Sequence, residues 1–439
     1  MNSDDLLSWS GFWHRPRSSP ARIRRWQDAR LRRLMRHAWR NVPFYRRRLE
    51  ALRIGPEEIR GAADLPRLPV LTRADLFEAP FADLLARGTD PAACNVVVSS
   101  GTTGEPIRIL RTRGEEYTLF AYRLRGQILS GLRPWHTRMK IGSAPQQTLP
   151  HRIGVFRCGN VSDRLPPKEI VAELVRQRFD VLYAGPARFE SLLAEVDESR
   201  LRALRPRLVF CGAEYLSRVT RARLETIFGC PVIDFYGAIE MNLLAWQCRD
   251  CGLFHTCDDA VLVEVIRDDG EPAGAGESGR VVATALHSFA MPLIRYDTGD
   301  VAQRPTDLPQ CRIRFGCIDR IMGRQADYLH MPNGDWLSPH RLAECAEEVP
   351  GVRRYQAVQT GPAEIVLKVV TTGDFCEDSV RLLKRNFAEL IPSEVRVEVR
   401  VVDDIPLTPA GKHRIVQAWR PDGSGAQVAR GAGAWPTAR

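Results

Sequence analysis

No stretch of this 439-residue chain approaches the ~18 consecutive apolar residues of a membrane-spanning helix. The opening, MNSDDLLSWSGFW, carries early acids and no apolar core ahead of a small-residue cleavage site, which predicts no secretory signal. The eleven cysteines are odd in number and mostly scattered singly. A chain this long does not need disulfides to fold, so a reducing, cytoplasmic setting is expected. There is no internal repeat. Neither a repeated finger nor an aromatic–basic RNA motif is present, which argues against specific nucleic-acid binding.

Charge is abundant but unevenly placed. The formal net charge is +10, and residues 1–60 supply nine of it, with 15 Arg against 6 Asp and Glu. The rest of the chain is nearly neutral. Within ARIRRWQDARLRRLMRHAWRNVPFY, Ile23, Trp26, Leu34, Ala38 and Val42 recur at helical spacing, predicting an amphipathic helix with an arginine-rich outer face. A solvated helix face accounts for such a run, and attraction to an acidic partner or anionic surface is the alternative.

Length predicts two or three folding units. RFDVLYAGP, PRLVFCGAE and CPVIDFYGAIE each pair an apolar strand with a small or polar end, within alternating helix and strand signals through 110–240. That predicts a layered α/β section, and such strand ends are where open α/β sheets bind ligands. AVLVEVI, SGRVVATAL and PLIRYDTGD are shorter strands with turns, predicting an antiparallel or barrel-like section. Beyond IMGRQADYL, two helical and three strand signals predict a small α+β domain. The Gly- and Ala-rich end, 421–439, reads as a disordered tail.

One loop points to chemistry. In VVVSSGTTGEP, three β-branched residues run into Ser99, Ser100, Gly101, Thr102, Thr103 and Gly104. Glycines admit close backbone approach, successive N–H groups form an anion nest, and hydroxyls add donors, so the loop suits phosphate. No Gly-Lys-Ser/Thr follows, so it is not a Walker P-loop. IRIL after Pro106 reads as strand, predicting a hairpin-like flap.

SSGTTGEP at 99–106, DFYGAIE at 234–240, YDTGD at 296–300, GRQADYL at 323–329 and PLTPAGK at 406–412 stand in the order and spacing of the adenylate-forming enzymes. HAWRNVPFYRRRLE followed by LPRLPVLTRADL resembles the opening of the phenylacetate–CoA ligase-like branch, including its capsule-biosynthesis-like members. The resemblance covers about residues 20 to 420. It implies an α/β fold with a large ATP- and acid-binding domain, 1–323, whose start (1–60) is basic and helical. A small mobile lid, 324–420, would follow.

The implied reaction has two halves. A carboxylate attacks the α-phosphate of ATP, releasing pyrophosphate and leaving an acyl-adenylate. A thiol or amine then takes the acyl group. The implied partners are a small carboxylic acid, ATP with Mg²⁺, and CoA as the simplest acceptor; a carrier-protein thiol or an amine is the alternative. The resemblance assigns the β- and γ-phosphates to Ser99–Gly104. It assigns the adenine surface to Gly212, Ala213 and Glu214, the adenine amine to Asp234, and ring stacking to Tyr236, with Phe235 and Gly237 in the same motif. Glu240 would be the magnesium carboxylate, a hard-ion ligand. Asp300 would accept the ribose hydroxyls, and Arg324 would stand at the nucleotide. Lys412 would sit between the substrate carboxylate and the α-phosphate, where a flexible ammonium suits two approaching anions.

The chain departs from the family at three places. Ile239 stands where relatives carry Thr or Ser, a hydroxyl that touches the α-phosphate. Ile107 replaces a lysine that the phenylacetate branch often lacks. Ala326 stands at the hinge aspartate, with Arg324 and Asp327 kept. These departures leave a non-catalytic nucleotide- or acid-binding relative as the reading of another class. QCRDCGLFHTCDD gathers Cys248, Cys251, His255 and Cys257 within ten residues, and Cys311 or Cys317 can close a tetrahedron. Relatives place a Cys and a His seven apart here. This implies a structural zinc on Cys248, His255 and Cys311, with Cys251 or Cys257 as the fourth ligand.

Overall fold

Proline opens both N-terminal helices, α1 (Pro20–Asn41) and α2 (Pro43–Ala51), where its fixed φ suits the first turn. The computed structural model describes residues 11–98, 106–143, 149–406, 408 and 413–419. The expected disordered tail lies outside them. The chain divides into two compact units, each assembled from separated stretches. One joins the chain up to Gln127 with Tyr236–Arg320; the other joins Ile128–Phe235 with the chain from Ile321 onward.

In the first unit α1 buries Ile23, Gln27, Leu31, Leu34, Met35 and Ala38, so its arginines face outward as the sequence periodicity requires. Strands β1 (Asn95–Val98) and β2 (Arg108–Arg111) form an antiparallel hairpin with Val98 opposite Arg108, the expected flap. Helix α3 (Arg113–Leu129) starts from a reciprocal cap: Thr112 N–H donates to Glu115 at 2.7 Å, and Glu115 N–H to the Thr112 hydroxyl at 3.3 Å. Arg125 of α3 is wholly buried. It donates to both carboxylate oxygens of Asp259 (2.5 and 2.7 Å) and to the Phe12 carbonyl (2.8 Å), while Arg15 reaches Asp259 at 2.9 Å. Removing Asp259 would strand two buried cations, which costs about 3–5 kcal/mol for a typical buried pair.

The second unit begins with β3 (Arg138–Ile141), β4 (Cys158–Val161), α4 (Pro167–Arg176), β5 (Val181–Ala184), α5 (Pro186–Glu195), β6 (Leu208–Gly212), α6 (Arg218–Phe228) and β7 (Val232–Ala238). The five strands are parallel in the order β4-β3-β5-β6-β7. Parallel neighbours need crossovers: α5 joins β5 to β6 and α6 joins β6 to β7, while α4 carries the chain from β4 past β3 to β5. Their apolar faces (Ile170, Leu174, Phe189, Leu192, Leu224) pack on Leu182, Val209 and Val232. Every residue of β6 is buried, which is why LVFCG reads as a continuous apolar run and not an alternating one.

Past Tyr236 the chain belongs to the first unit again, with β8 (Asn242–Gln247), β9 (Phe254–Thr256), β10 (Val261–Ile266), β11 (Ser278–Ala285), β12 (Tyr296–Gln303) and β13 (Cys317–Ile318). Pairing is antiparallel throughout: β8 with β9, β9 with β13, and β10 with β11 with β12. PLIRYDTGD was expected as one strand from Pro292, but the strand starts at Tyr296. Arg295 takes a left-handed φ of 52° and breaks the extension. Its guanidinium is held by Glu264 at 3.0 and 3.1 Å, and by the Leu68 carbonyl.

The second unit closes with β14 (Arg320–Arg324), α7 (Pro339–Glu347), β15 (Val352–Gly361), β16 (Glu364–Thr371), α8 (Glu377–Ala388), β17 (Arg396–Val401) and β18 (Val416–Gln417). β15 pairs antiparallel with β16, while β17 and β18 join in parallel. Leu342, Ala346, Leu367, Val369, Leu383 and Phe387 form its core, the α+β arrangement the sequence predicts.

Candidate functional site

In the second unit β6 ends at Gly212, opposite Phe235 of β7. Ala213 follows with φ 73°, a left-handed bend that turns the chain off the strand end. The Glu214 carboxylate accepts from the Ala187 amide at 3.0 Å, in the first turn of α5. Its side chain therefore helps to cap that helix. Asp234 lies beside this strand end. Burial raises its carboxyl to about 6, against the opposing pull of Arg221 and the backbone amide of Phe235. A carboxylate held near its titration point accepts a hydrogen bond at neutral pH at the cost of being kept ionised.

In the first unit the chain leaves β7 through a tight turn, Ala238–Met241, closed by the Met241 amide on the Ala238 carbonyl at 3.0 Å. Gly237 has no substitute here, because a Cβ would collide with the Asn242 carbonyl. Glu240 occupies the third position of the turn. One of its oxygens meets the Tyr296 hydroxyl at 3.4 Å, and the other has no hydrogen-bond partner among the described residues. Sixty-four residues from Tyr236 in sequence, Asp300 accepts its hydroxyl at 2.8 Å. A bulge in β12 presents Asp300: Gly299 takes φ 74°, and its amide donates to Asp297 at 2.9 Å. Tyr236 thus meets Asp300, and Glu240 meets Tyr296 at the start of the same strand. Arg111, which sequence reasoning passed over, donates to the Ile239 carbonyl at 2.5 Å. A charged residue closing the apolar strand RILR was the signal available.

Arg324 is exposed at the end of β14, and Asp327 accepts from Arg414 at 3.0 Å. Ser99, Ser100, Gly101, Thr102, Thr103, Gly104 and Lys412 lie outside the described residues.

A second constellation sits in the first unit. The ligand atoms of Cys248, Cys251, His255 and Cys311 all lie within 4.8 Å of one another. The β8–β9 hairpin supplies three of them. It is closed by the Cys248 amide on the Leu253 carbonyl (2.8 Å) and the Gly252 amide on the Cys248 carbonyl (2.9 Å). His255 is fully buried, with Nδ1 3.3 Å from the Phe315 carbonyl and 3.1 Å from Cys317 Sγ. Its Nε2 faces Cys311 (3.0 Å) and Cys251 (3.7 Å). A proton on Nδ1 leaves Nε2 as a lone-pair donor, the arrangement metal-bound histidines adopt. At Cys248 burial raises the thiol, but bonds from His255 and the backbone amides of Cys251 and Asp250 outweigh it and bring it down to about 7. Burial and the neighbouring Cys248 push Cys251 up to about 12. Three thiols and one imidazole, soft donors converging on one point, fit zinc. Cys257 stands apart, fully buried with Arg125 Nη2 3.6 Å from its sulfur.

Residues 329–418 match the CapK C-terminal domain. Over 333 residues the chain is 28% identical to the phenylacetate-coenzyme A ligase of Thermus thermophilus, covering 70% of this chain and 72% of that one. Over 331 residues it is 28% identical to the phenylacetate-coenzyme A ligase of Escherichia coli, covering 72% and 74%. Over about seven-tenths of its length the chain is thus similar to phenylacetate-coenzyme A ligases. The fold of this chain is similar to that in the crystal structure of 2-hydroxyisobutyryl-CoA ligase in the postadenylation state with 2-HIB-AMP. That structure has a TM-score of 0.79 at 19% identity, covering 93% of this chain and 92% of the other. Among the described residues no helix is long and apolar enough to cross a membrane. In this ligase-like chain Ile239 is exposed at the second position of the Glu240 turn, so no hydroxyl precedes the glutamate.

Proposed function

We propose that the chain is an ATP-dependent carboxylate ligase that forms an acyl-adenylate and transfers the acyl group to CoA. Two contacts in one unit carry the reading: Tyr236 meets Asp300, 64 positions on, and Glu240 meets Tyr296, which opens the strand that holds Asp300. Asp300, aligned by the Tyr236 hydroxyl, accepts from the ribose, and Asp234 accepts from the adenine amine. The loop Ser99–Gly104 holds the β- and γ-phosphates with backbone N–H groups and hydroxyls. Glu240 would hold Mg²⁺ through the oxygen that has no partner among the described residues. That ion neutralises phosphate charge when bound.

Chemistry on this chain is mostly positioning and electrostatics. A substrate carboxylate oxygen bonds to the α-phosphorus, and the bond to the β-phosphate oxygen breaks, releasing pyrophosphate. Lys412 stands between the two anions as they close. The CoA thiolate sulfur then bonds to the acyl carbon, and AMP leaves with the former carboxylate oxygen. The segment 324–420 acts as a lid that turns between the halves. Cys248, Cys251, His255 and Cys311 hold a structural zinc that pins the β8–β9 hairpin to the loop before β13. With four protein ligands, such a site leaves no position for substrate.

Pyrophosphate exchange driven by a panel of aromatic and short aliphatic acids tests the first half, and loss of free CoA thiol tests the second. Exchange without thiol loss would move the acyl group to a carrier-protein thiol or an amine. Absence of exchange with every acid would leave a non-catalytic nucleotide-binding relative.

A further inference from the structure

We propose that Arg111 is a positioning residue for Glu240, and that through the turn it sets the affinity for the divalent cation accompanying ATP. The inference rests on the ATP-site reading above. In the turn Ala238–Met241 the central peptide joins Ile239 to Glu240. The orientation of a central peptide is what separates one turn type from another, and its flip redirects the side chain at the third position. Because the peptide is planar, holding its carbonyl also holds the amide of Glu240.

Arg111 grips that carbonyl with Nη2 at 2.5 Å, while its Nη1 meets Glu116 of α3 at 3.2 Å. The side chain is buried, only 4% of the residue is exposed, and its Nε finds no partner among the described residues. A charged donor to a carbonyl is stronger than a neutral one, and the planar guanidinium fixes direction as well as distance. Glu116 anchors the far side of the fork. The grip is the more telling where Ile239 replaces the hydroxyl residue of the family, because nothing on that side chain holds the turn from the ligand side.

The test measures Mn²⁺ binding to the ATP-saturated, acid-free protein by electron paramagnetic resonance, with no turnover. Arg111→Met is expected to weaken Mn²⁺ binding roughly 10- to 100-fold, as loss of an outer partner of a metal ligand does. Arg111→Lys is expected to recover part of the affinity. Glu116→Ala, which leaves the bond to Ile239, is expected to stay within about threefold, far from the loss expected of an outer-shell partner. A folded Arg111→Met with wild-type Mn²⁺ affinity overturns the proposal, as does a Glu116→Ala shift equal to that of Arg111→Met. If Arg111→Met does not fold, Arg111→Lys decides, and wild-type affinity in that variant overturns it. Wild-type protein that binds ATP without Mn²⁺ removes the Glu240 reading and this proposal together. A shift confined to the Arg111 variants separates the two.

Discussion

Replacing Asp234 by Asn should stabilise the ligand-free protein, because the structure holds this carboxyl where it resists ionisation. Burial lifts it from the ordinary 3.8 to about 6. At ~1.36 kcal/mol per unit, that shift amounts to about 3 kcal/mol for the ionised folded chain. Water at its partly exposed side lowers the expected figure to about 1–3 kcal/mol. The folded state keeps the proton to higher pH than the unfolded state does. Between about pH 4 and pH 6 it therefore binds more protons, and wild-type stability falls as pH rises through that window. Above about pH 6 the loss is complete and the curve flattens. The asparagine variant does not titrate there. Urea melts at about pH 3.5, below the unfolded value, should show the two proteins close together, and melts at about pH 7.5 should show the variant ahead by the stated amount. An equal gap at both pH values, or a more stable wild type at the higher one, would refute the reasoning. ATP affinity should move the other way, since the amide no longer offers a carboxylate to the adenine amine. Site and stability are opposed at this residue.

Other outcomes follow from the same geometry. Protein purified without a histidine tag should carry one zinc per chain, which Cys251→Ser loses and Cys257→Ser retains by elemental analysis. Chelation should lower the melting temperature, because binding free energy at such a site is folding free energy. Tyr236→Phe removes a hydrogen bond to a carboxylate, worth about 1.5–3 kcal/mol. It should raise the ATP KM about tenfold or more in pyrophosphate exchange, and an unchanged KM would separate Asp300 from the ribose. Lys412→Ala should slow adenylation by roughly 100-fold or more yet spare thioester formation from supplied acyl-adenylate. Equal loss in single-turnover assays of both halves would remove the lysine from its role.

Local pattern carried most of the fold into view. The α1 stripe of Ile23, Leu34 and Ala38, the apolar run of β6 and the alternation in β16 each record a burial that the chain enforces residue by residue. Arg295 was illegible because its left-handed φ answers to Glu264 and the Leu68 carbonyl, neither of them a neighbour in sequence. The choice of Cys251 over Cys257 was open for the same reason. Both lie within four residues of His255, and only the hairpin turn at Gly252 and the packing of Arg125 decide which thiol faces the cluster. Arg111 escaped because a cation ending a short strand looks like a solvated residue until its carbonyl partner, 128 residues on, is in place. The Glu214 carboxylate likewise answers to a partner 27 residues away, the Ala187 amide in the first turn of α5.

The interleaved build of the first unit has a consequence for synthesis. Arg15 waits for Asp259, 244 residues later, and the Tyr45 hydroxyl waits for the Pro292 carbonyl, 247 residues later. At about 5–20 residues per second, translation leaves these side chains, and Trp26, Gln27 and His37 of α1 with them, without their late partners for about 10–50 s. Until then α2 and residues 62–67 cover α1 on one side, and the side of Trp26, Gln27 and His37 stays open, the kind of surface chaperones hold. Nascent chains stalled near residue 230 are therefore expected to be cleaved by protease within α1, and chains stalled beyond residue 320 plus the length of the exit tunnel to be protected. Protection already present at the shorter length would mean that α1 finds an earlier, non-native partner.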